Sequence, residues 1–235
     1  MLTARTFVAA IALGGAAPAA ATCADVALVL ALDASGSVKD DEYFLQQQGY
    51  ARAFRSPGVR AALANAGIVD IGAVVFSDSV RDLQIMPMTR LVRGAGADDL
   101  ARHLETIPRP VRGNTGIGNA IAAATRLLDA PGVCAYRRII NLSGDGPESM
   151  APRKRTAVST ADARLRAEAL GITINALAIA REVPDLGEWY RTRLIAGPGA
   201  FVMEVESFES FAAAIEIKLL REIRPETLAA LQFGH

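Results

Sequence analysis

Residues 25–32 read DVALVLAL, and residues 33–37, which follow at once, read DASGS. The first stretch is a short, almost unbroken apolar run. That is the pattern of a strand covered on both faces, since a strand with one wet face would alternate apolar and polar residues. The second stretch is a polar loop in which one acid and two hydroxyls alternate: Asp33, Ser35 and Ser37. A buried strand running straight into a polar loop is the unit from which open parallel sheets build binding crevices at their carboxyl edge.

Working outward, the same unit recurs. Residues 69–76 (VDIGAVVF), 138–143 (RIINLS) and 172–179 (ITINALAI) read as further buried strands. Residues 200–205 read as a short strand, and residues 80–86 as a short edge strand that stops before Pro87. Helical patterns separate them. In residues 40–54, Tyr43, Phe44, Gln47, Tyr50 and Phe54 fall at helical spacing, and Ser56-Pro57-Gly58 breaks the pattern. Residues 98–106, an Ala-rich 116–128, an amphipathic 155–170 stopped by Gly171, 187–195 and 208–220 complete the set. Pro108-Arg109-Pro110 ends the second of these helices. Strands that alternate with helices predict an α/β fold: a doubly wound, Rossmann-like, mostly parallel sheet of six strands, with one short antiparallel edge strand and helices on both faces. No internal repeat and no long linker interrupts it.

Composition fits one such domain. The chain has 235 residues, 51% of them hydrophobic and 21% charged. Lys and Arg total 25, as do Asp and Glu, so zero net charge gives no electrostatic case for nucleic acid or an anionic membrane. The basic triplet Arg153-Lys154-Arg155 reads as a solvated helix start.

The first 21 residues stand apart from the fold. Arg5 precedes an apolar run at residues 7–13, which dissolves into small residues ending Ala19-Ala20-Ala21. This is the three-part layout of a secretory signal peptide (residues 1–21) cut after Ala21. A spanning helix needs about 20 strongly apolar residues, and this run is shorter and rich in Ala and Gly. Lipid attachment at Cys23 is the lesser option, because Thr22 suits that cleavage poorly. The expectation is an exported domain over residues 22–222, periplasmic or secreted, with no stable membrane insertion after cleavage, and a tail at residues 223–235.

Three loops carry candidate chemistry. Asp33-Ala34-Ser35-Gly36-Ser37 follows the first strand, Gly113-Asn114-Thr115-Gly116 precedes the Ala-rich helix, and Gly144-Asp145-Gly146 follows the RIINLS strand. Two carboxylates and three hydroxyls converge on one sheet edge. All are hard oxygen donors of the type that Mg²⁺, Mn²⁺ or Ca²⁺ prefers, and no His or Cys among them invites zinc. A hydroxyl-rich shell with few carboxylates leans to Mg²⁺. Taken singly, Ser35, Ser37 and Thr115 also read as helix caps and Asp145 as a turn residue. Independent caps, however, have no reason to share one sheet edge.

Asp33-x-Ser35-x-Ser37, Thr115 in a Gly-Asn-Thr context and Asp145 before a glycine, in this order and spacing, resemble the metal-ion-dependent adhesion site (MIDAS) of von Willebrand factor A domains, the I-domains of integrins. The resemblance spans about residues 25–220, and the exported layout is most similar to uncharacterised secreted bacterial proteins with this domain. One departure stands out: many members have Thr before the last Asp, where this chain has Gly144, which implies a looser loop there. The resemblance implies a metal site of Asp33, Ser35, Ser37, Thr115 and Asp145. It further implies a binding role in which the cation engages an acidic side chain of a partner protein.

In such a fold the strands ending at Asp33 and Asp145 are parallel neighbours. Cys23 lies ten positions before Asp33, and Cys134 eleven before Asp145. Equal steps back along adjacent strands, about 5 Å apart, imply a Cys23–Cys134 disulfide at the opposite sheet edge. Two buried thiols are the alternative.

Enzymatic readings find little to rest on. His103 and His235 are the only histidines, and neither a Gly-x-Ser-x-Gly elbow nor a phosphate-binding Gly-x-x-x-x-Gly-Lys loop is present. A phosphohydrolase using the Asp33 loop would want a second acid where Ser35 stands. A module whose metal only staples loops is the third reading. Asp78, Glu148, Trp189 and Tyr190 read as surface turn, solvated loop and helix packing, with a place at the site's rim as the alternative for Asp78 and Glu148 and a recognition surface for the two aromatics. Asp40, Asp41 and Glu42 suit the positive end of a helix.

Overall fold

The computed structural model describes residues 22–78, 83–149 and 157–224. β1 (Ala24–Asp33) is the hub of a six-stranded sheet. β2 (Ile68–Phe76) flanks it on one side and β4 (Ala135–Gly144) on the other, both parallel to it. β5 (Ile172–Ile179) and β6 (Val202–Val205) continue the parallel run beyond β4. β3 (Gln84–Val92) closes the far edge antiparallel to β2, giving the order β3-β2-β1-β4-β5-β6. This is the expected doubly wound architecture, and the order reverses between β1 and β4, the switch point where such sheets open a crevice.

β1 is apolar from Val26 to Leu32, and both its faces are covered there. Val26, Leu28, Leu30 and Leu32 pack into one core with Tyr50, Phe54, Phe211, Ile215 and Leu219. Ala27, Val29 and Ala31 face a second core with Ile117, Ala120, Ile121 and Ala124. Each fully buried leucine contributes about 2 kcal/mol. The first face is covered by α1 (Asp40–Arg55), α2 (Pro57–Ala66), α3 (Ala97–Thr106) and α7 (Phe211–Ile223), the last preceded by a 3₁₀ turn at Phe208–Ser210. The second is covered by α4 (Ile117–Leu128), α5 (Thr160–Ala169) and α6 (Leu186–Arg193). The small residues of β1 on the second face let the Ala-rich α4 lie close to the sheet.

Three readings of the sequence need correction. Ser56-Pro57-Gly58 does not only break a helix; it starts one. The Ser56 hydroxyl accepts from Val59 N at 3.2 Å, and Pro57 takes the first helical position of α2, where its missing N–H costs nothing. The edge strand does not stop before Pro87. The register jumps between Ile71 and Ala73 of β2, so that Pro87 and Met88 oppose Gly72 alone, and this bulge on an edge strand absorbs the missing donor. Helix α5 starts at Thr160, where Ser159 caps it by accepting from Asp162 N. The signal-peptide reading of residues 1–21, the basic triplet 153–155 and most of the tail at 223–235 lie outside the described residues.

At the sheet edge away from the site, Cys23 and Cys134 form the expected disulfide, with Cα atoms 4.7 Å apart. The adjacent Ala24 N–H donates to Cys134 O at 2.8 Å. α7 is pinned to the sheet by a buried polar cluster: Glu222 accepts from Lys218 Nζ (2.6 Å), Asn175 Nδ2 (2.9 Å) and Asn141 Nδ2 (2.6 Å). Burial pushes the Lys218 ammonium below its ordinary value, and Glu222 opposes that shift.

Candidate metal centre

β1 and β4 deliver the two carboxylates. β1 ends at Asp33 and β4 at Gly144, one residue before Asp145, so both acids emerge at the carboxyl edge on adjacent strands. The loop after β1 turns back on itself: Ser35 N donates to Asp33 Oδ1 at 2.8 Å. The Ser35 and Ser37 hydroxyls are 3.2 Å apart, and Ser37 Oγ donates to Asp145 Oδ1 at 2.7 Å. Four of the five expected residues thus form one unbroken chain of contacts. Thr115 arrives just before α4, its hydroxyl 3.9 Å from the point where a Cβ on Gly146 would stand. Thr115 N donates to Ser149 Oγ at 2.9 Å, and Ser149 N to Thr115 O at 3.1 Å. Gly36 N donates to Gly113 O at 2.7 Å, tying the first loop to the second. The structure therefore brings all five to one place. Asp33, Ser35, Thr115 and Asp145 are buried, while Ser37 is exposed at the mouth.

Burial disfavours the ionised form of both carboxyls. Burial pushes the Asp33 carboxyl up to about 7, and the neighbouring Asp145 charge adds to the rise; hydrogen bonds from Ser35 and the charge of Arg109 oppose it. Asp145 is also raised, chiefly by burial. Asp33 Oδ2 is buried and has no hydrogen-bond partner among the described residues. An ionised oxygen left so is costly. Hard oxygen donors, an unpartnered carboxylate oxygen and raised carboxyls together fit a hard divalent cation. Among the described residues no three His, Cys, Asp or Glu side chains cluster as a metal site, so any cation here depends on hydroxyls beside two acids.

Several supporting residues escaped the sequence reading. Arg109, placed only as a helix terminator, reaches under the first loop. Its Nη2 donates to Ser35 O (3.0 Å), Ala34 O (3.3 Å) and Val38 O, its Nη1 pairs with Asp40 (2.6 Å), and its guanidinium lies over the Tyr43 ring. A charged residue held between two prolines was the available signal. Glu148 is no solvated loop residue: its carboxylate accepts from Gly118 N (3.2 Å) and Thr160 N (2.9 Å), at the starts of α4 and α5. Gln46 donates to Asp33 O at 2.9 Å. Asp78 lies against the Thr115 loop, accepting from Asn114 Nδ2 at 3.4 Å. Glu42 turns inward, caps Lys39 N at 2.8 Å and pairs with Arg181. Tyr190 is fully buried beneath the site, and Trp189 packs against the second core.

The fold has structural counterparts. The pilus adhesin SpaC from Lactobacillus rhamnosus GG, in its open conformation, superimposes with a TM-score of 0.61 at 14% identity, over 85% of this chain and 30% of the adhesin. Proximal thread matrix protein 1 from the mussel byssus gives 0.63 at 16% identity, over 85% of this chain and 48% of that protein. A von Willebrand factor type A protein from Catenulispora acidiphila gives 0.54 at 16% identity, over 86% and 43%. The chain spans less than half the length of each of these proteins. The likeness is one of fold, and it is the von Willebrand factor A fold. No curated relative matches the chain in sequence. The profile of one family matches residues 22–227, nearly everything after the leader-like segment, and the chain belongs to that family, described as "Protein of unknown function (DUF1194)".

Proposed function

We propose that this chain is an exported binding module in which Asp33, Ser35, Ser37, Thr115 and Asp145 hold a divalent cation, Mg²⁺ ahead of Mn²⁺ or Ca²⁺, and engage an acidic side chain of a partner protein through it. The observation that carries the reading is the buried, unpartnered Asp33 Oδ2 on a loop whose Ser35 and Ser37 link Asp33 to Asp145. A bound cation would supply an electrophilic centre whose remaining coordination position a partner carboxylate can fill. The chain's own residues do the rest. Arg109 fixes the carbonyls of the first loop, Glu148 holds the start of α4, and exposed Ser37 marks where the site meets solvent.

Binding is favoured over catalysis by what surrounds Asp33. The position two residues on is Ser35, where a phosphohydrolase would want a second acid. His103 lines a separate cleft with β3 residues such as Ile85 and Met86. Export is supported by the signal-like leader, by a disulfide of the kind oxidising compartments permit, and by fold neighbours that include a pilus adhesin and a byssus thread protein. The reading is tested by calorimetric titration of metal-stripped protein with Mg²⁺ and Mn²⁺. Saturable binding in the wild type, absent in Asp33→Ala, is expected. A wild type that binds neither ion returns the five residues to helix caps and turns.

A further inference from the structure

Gly144, at the end of β4, stands at a crowded point. A Cβ built on it would lie 2.8 Å from Tyr190 Oη and 2.9 Å from Asp33 Oδ2, closer than real Cβ contacts allow. The two oxygens therefore border one spot that only a glycine leaves open. The phenol is anchored from the other side: Tyr190 Oη donates to Gly146 O at 3.1 Å, the carbonyl just after Asp145. Its ring is wholly buried in the second core and meets the Trp189 ring edge-on, with centroids 5.8 Å apart. A hydroxyl on a rigid, packed ring thus sits between the turn that carries Asp145 and the carboxylate that ends β1.

We infer that Tyr190 is a positioning residue of the metal centre: its hydroxyl, admitted by the missing side chain at Gly144, sets the Asp145 turn against Asp33. The inference rests on the metal-binding reading above and adds a residue from α6, an element that supplies none of the five proposed ligands. It also makes Gly144 and Tyr190 a matched pair. An alanine at 144 drives into the phenol oxygen, and removing that oxygen relieves one of the two collisions. The looseness implied by a glycine before Asp145 is replaced by a fixed contact from below.

The test uses four proteins: wild type, Tyr190→Phe, Gly144→Ala and the double variant. Each is checked for fold by circular dichroism and titrated with Mg²⁺. Tyr190→Phe keeps the buried ring and is expected to bind Mg²⁺ roughly 10-fold more weakly, the scale of losing a group that orients a ligand. Gly144→Ala is expected to lose more, and the double variant to recover part of that loss, a non-additive coupling that independent packing defects would not give. Mg²⁺ added to the wild type is expected to perturb tyrosine absorbance, and the difference spectrum to vanish in Tyr190→Phe. Unchanged affinity in Tyr190→Phe, strictly additive losses, or a tyrosine difference spectrum that survives the substitution each overturns this inference alone. A wild type that binds no Mg²⁺ overturns the metal reading first, and the inference with it.

Discussion

Asp33 carries a conflict that the fold imposes on it. Its carboxyl is buried beside Asp145, so its pKa rises to about 7 from 3.8. The folded chain then holds the Asp33 proton more tightly than the unfolded chain does. Stability from this group is fully present below about pH 4 and is lost as the pH climbs towards 7. Asp145, also raised, acts in the same direction. Metal-free protein is therefore expected to melt at a higher temperature at pH 5 than at pH 8, and Mg²⁺ to close the gap. Asp33→Asn cannot ionise. In EDTA at pH 8 it should be more stable than the wild type, on the order of 2–4 kcal/mol, while losing its response to Mg²⁺. Thermal melts with and without EDTA check both outcomes, and a wild type with no pH dependence under EDTA would contradict the assignment.

At the scale of elements, α4 shows how the Thr115 loop is held by backbone contact. Gly118 lies in the first turn of α4 so close to the chain entering α5 that a Cβ would stand 2.1 Å from Val158 O and 2.5 Å from the Ser159 carbonyl carbon. These are backbone atoms and cannot swing aside. Gly118→Ala is expected to cost about 3 kcal/mol by overpacking. It should also weaken Mg²⁺ binding, because Thr115 sits just before this turn and Glu148 bonds Gly118 N. Denaturant unfolding beside a metal titration separates the two effects; a variant as stable as the wild type would show that the helices can part without harm. The Ala-rich composition of α4 announced a closely packed helix. That one of its glycines bears on another helix's entry is a fact of assembly, since nothing local to residues 116–128 names the partner.

Across the whole molecule the two ends of the sheet do different work. The carboxyl edge gathers the oxygen donors, and the opposite edge is clamped by Cys23–Cys134, which closes a loop across a sequence separation of 111. In the chain-entropy model such a closure stabilises by about 5 kcal/mol. Reduction, or the Cys23→Ala/Cys134→Ala pair, should lower the melting temperature clearly while leaving Mg²⁺ affinity near that of the wild type; an unchanged melting temperature would argue that the bridge adds no stability. Between the two edges runs a buried polar path. Asp33 O accepts from Gln46, whose Oε1 accepts from Ser143 at 3.1 Å. Ser143 meets Tyr50 at 3.3 Å, Tyr50 donates to Asn141 at 3.0 Å, and Asn141 donates to Glu222 on α7. Burying so many polar groups is tolerable only because each finds a partner. Asn141 and Asn175, polar residues inside otherwise apolar strands, were the sequence's one sign of this network.

Apart from α2, the order of strands and helices, the two-faced burial of β1 and the polar loops at its carboxyl edge were legible from the sequence. Each follows from local patterning: unbroken apolar runs demand cover on both faces, and alternating elements demand a parallel sheet. That the three polar loops meet at one sheet edge, and that Cys23 pairs with Cys134, was legible too once strand adjacency was assumed, because register along parallel neighbours is set by counting. Only the tertiary structure decided what supports them. Arg109, Gln46, Glu148 and Tyr190 come from four elements or loops far apart in the chain, and their meaning lies in which backbone atoms they reach. Gly144 read alone suggests slack; set against Tyr190 and Asp33 it is the space that two oxygens from distant segments require, and a contact between distant segments leaves no periodic trace in either one.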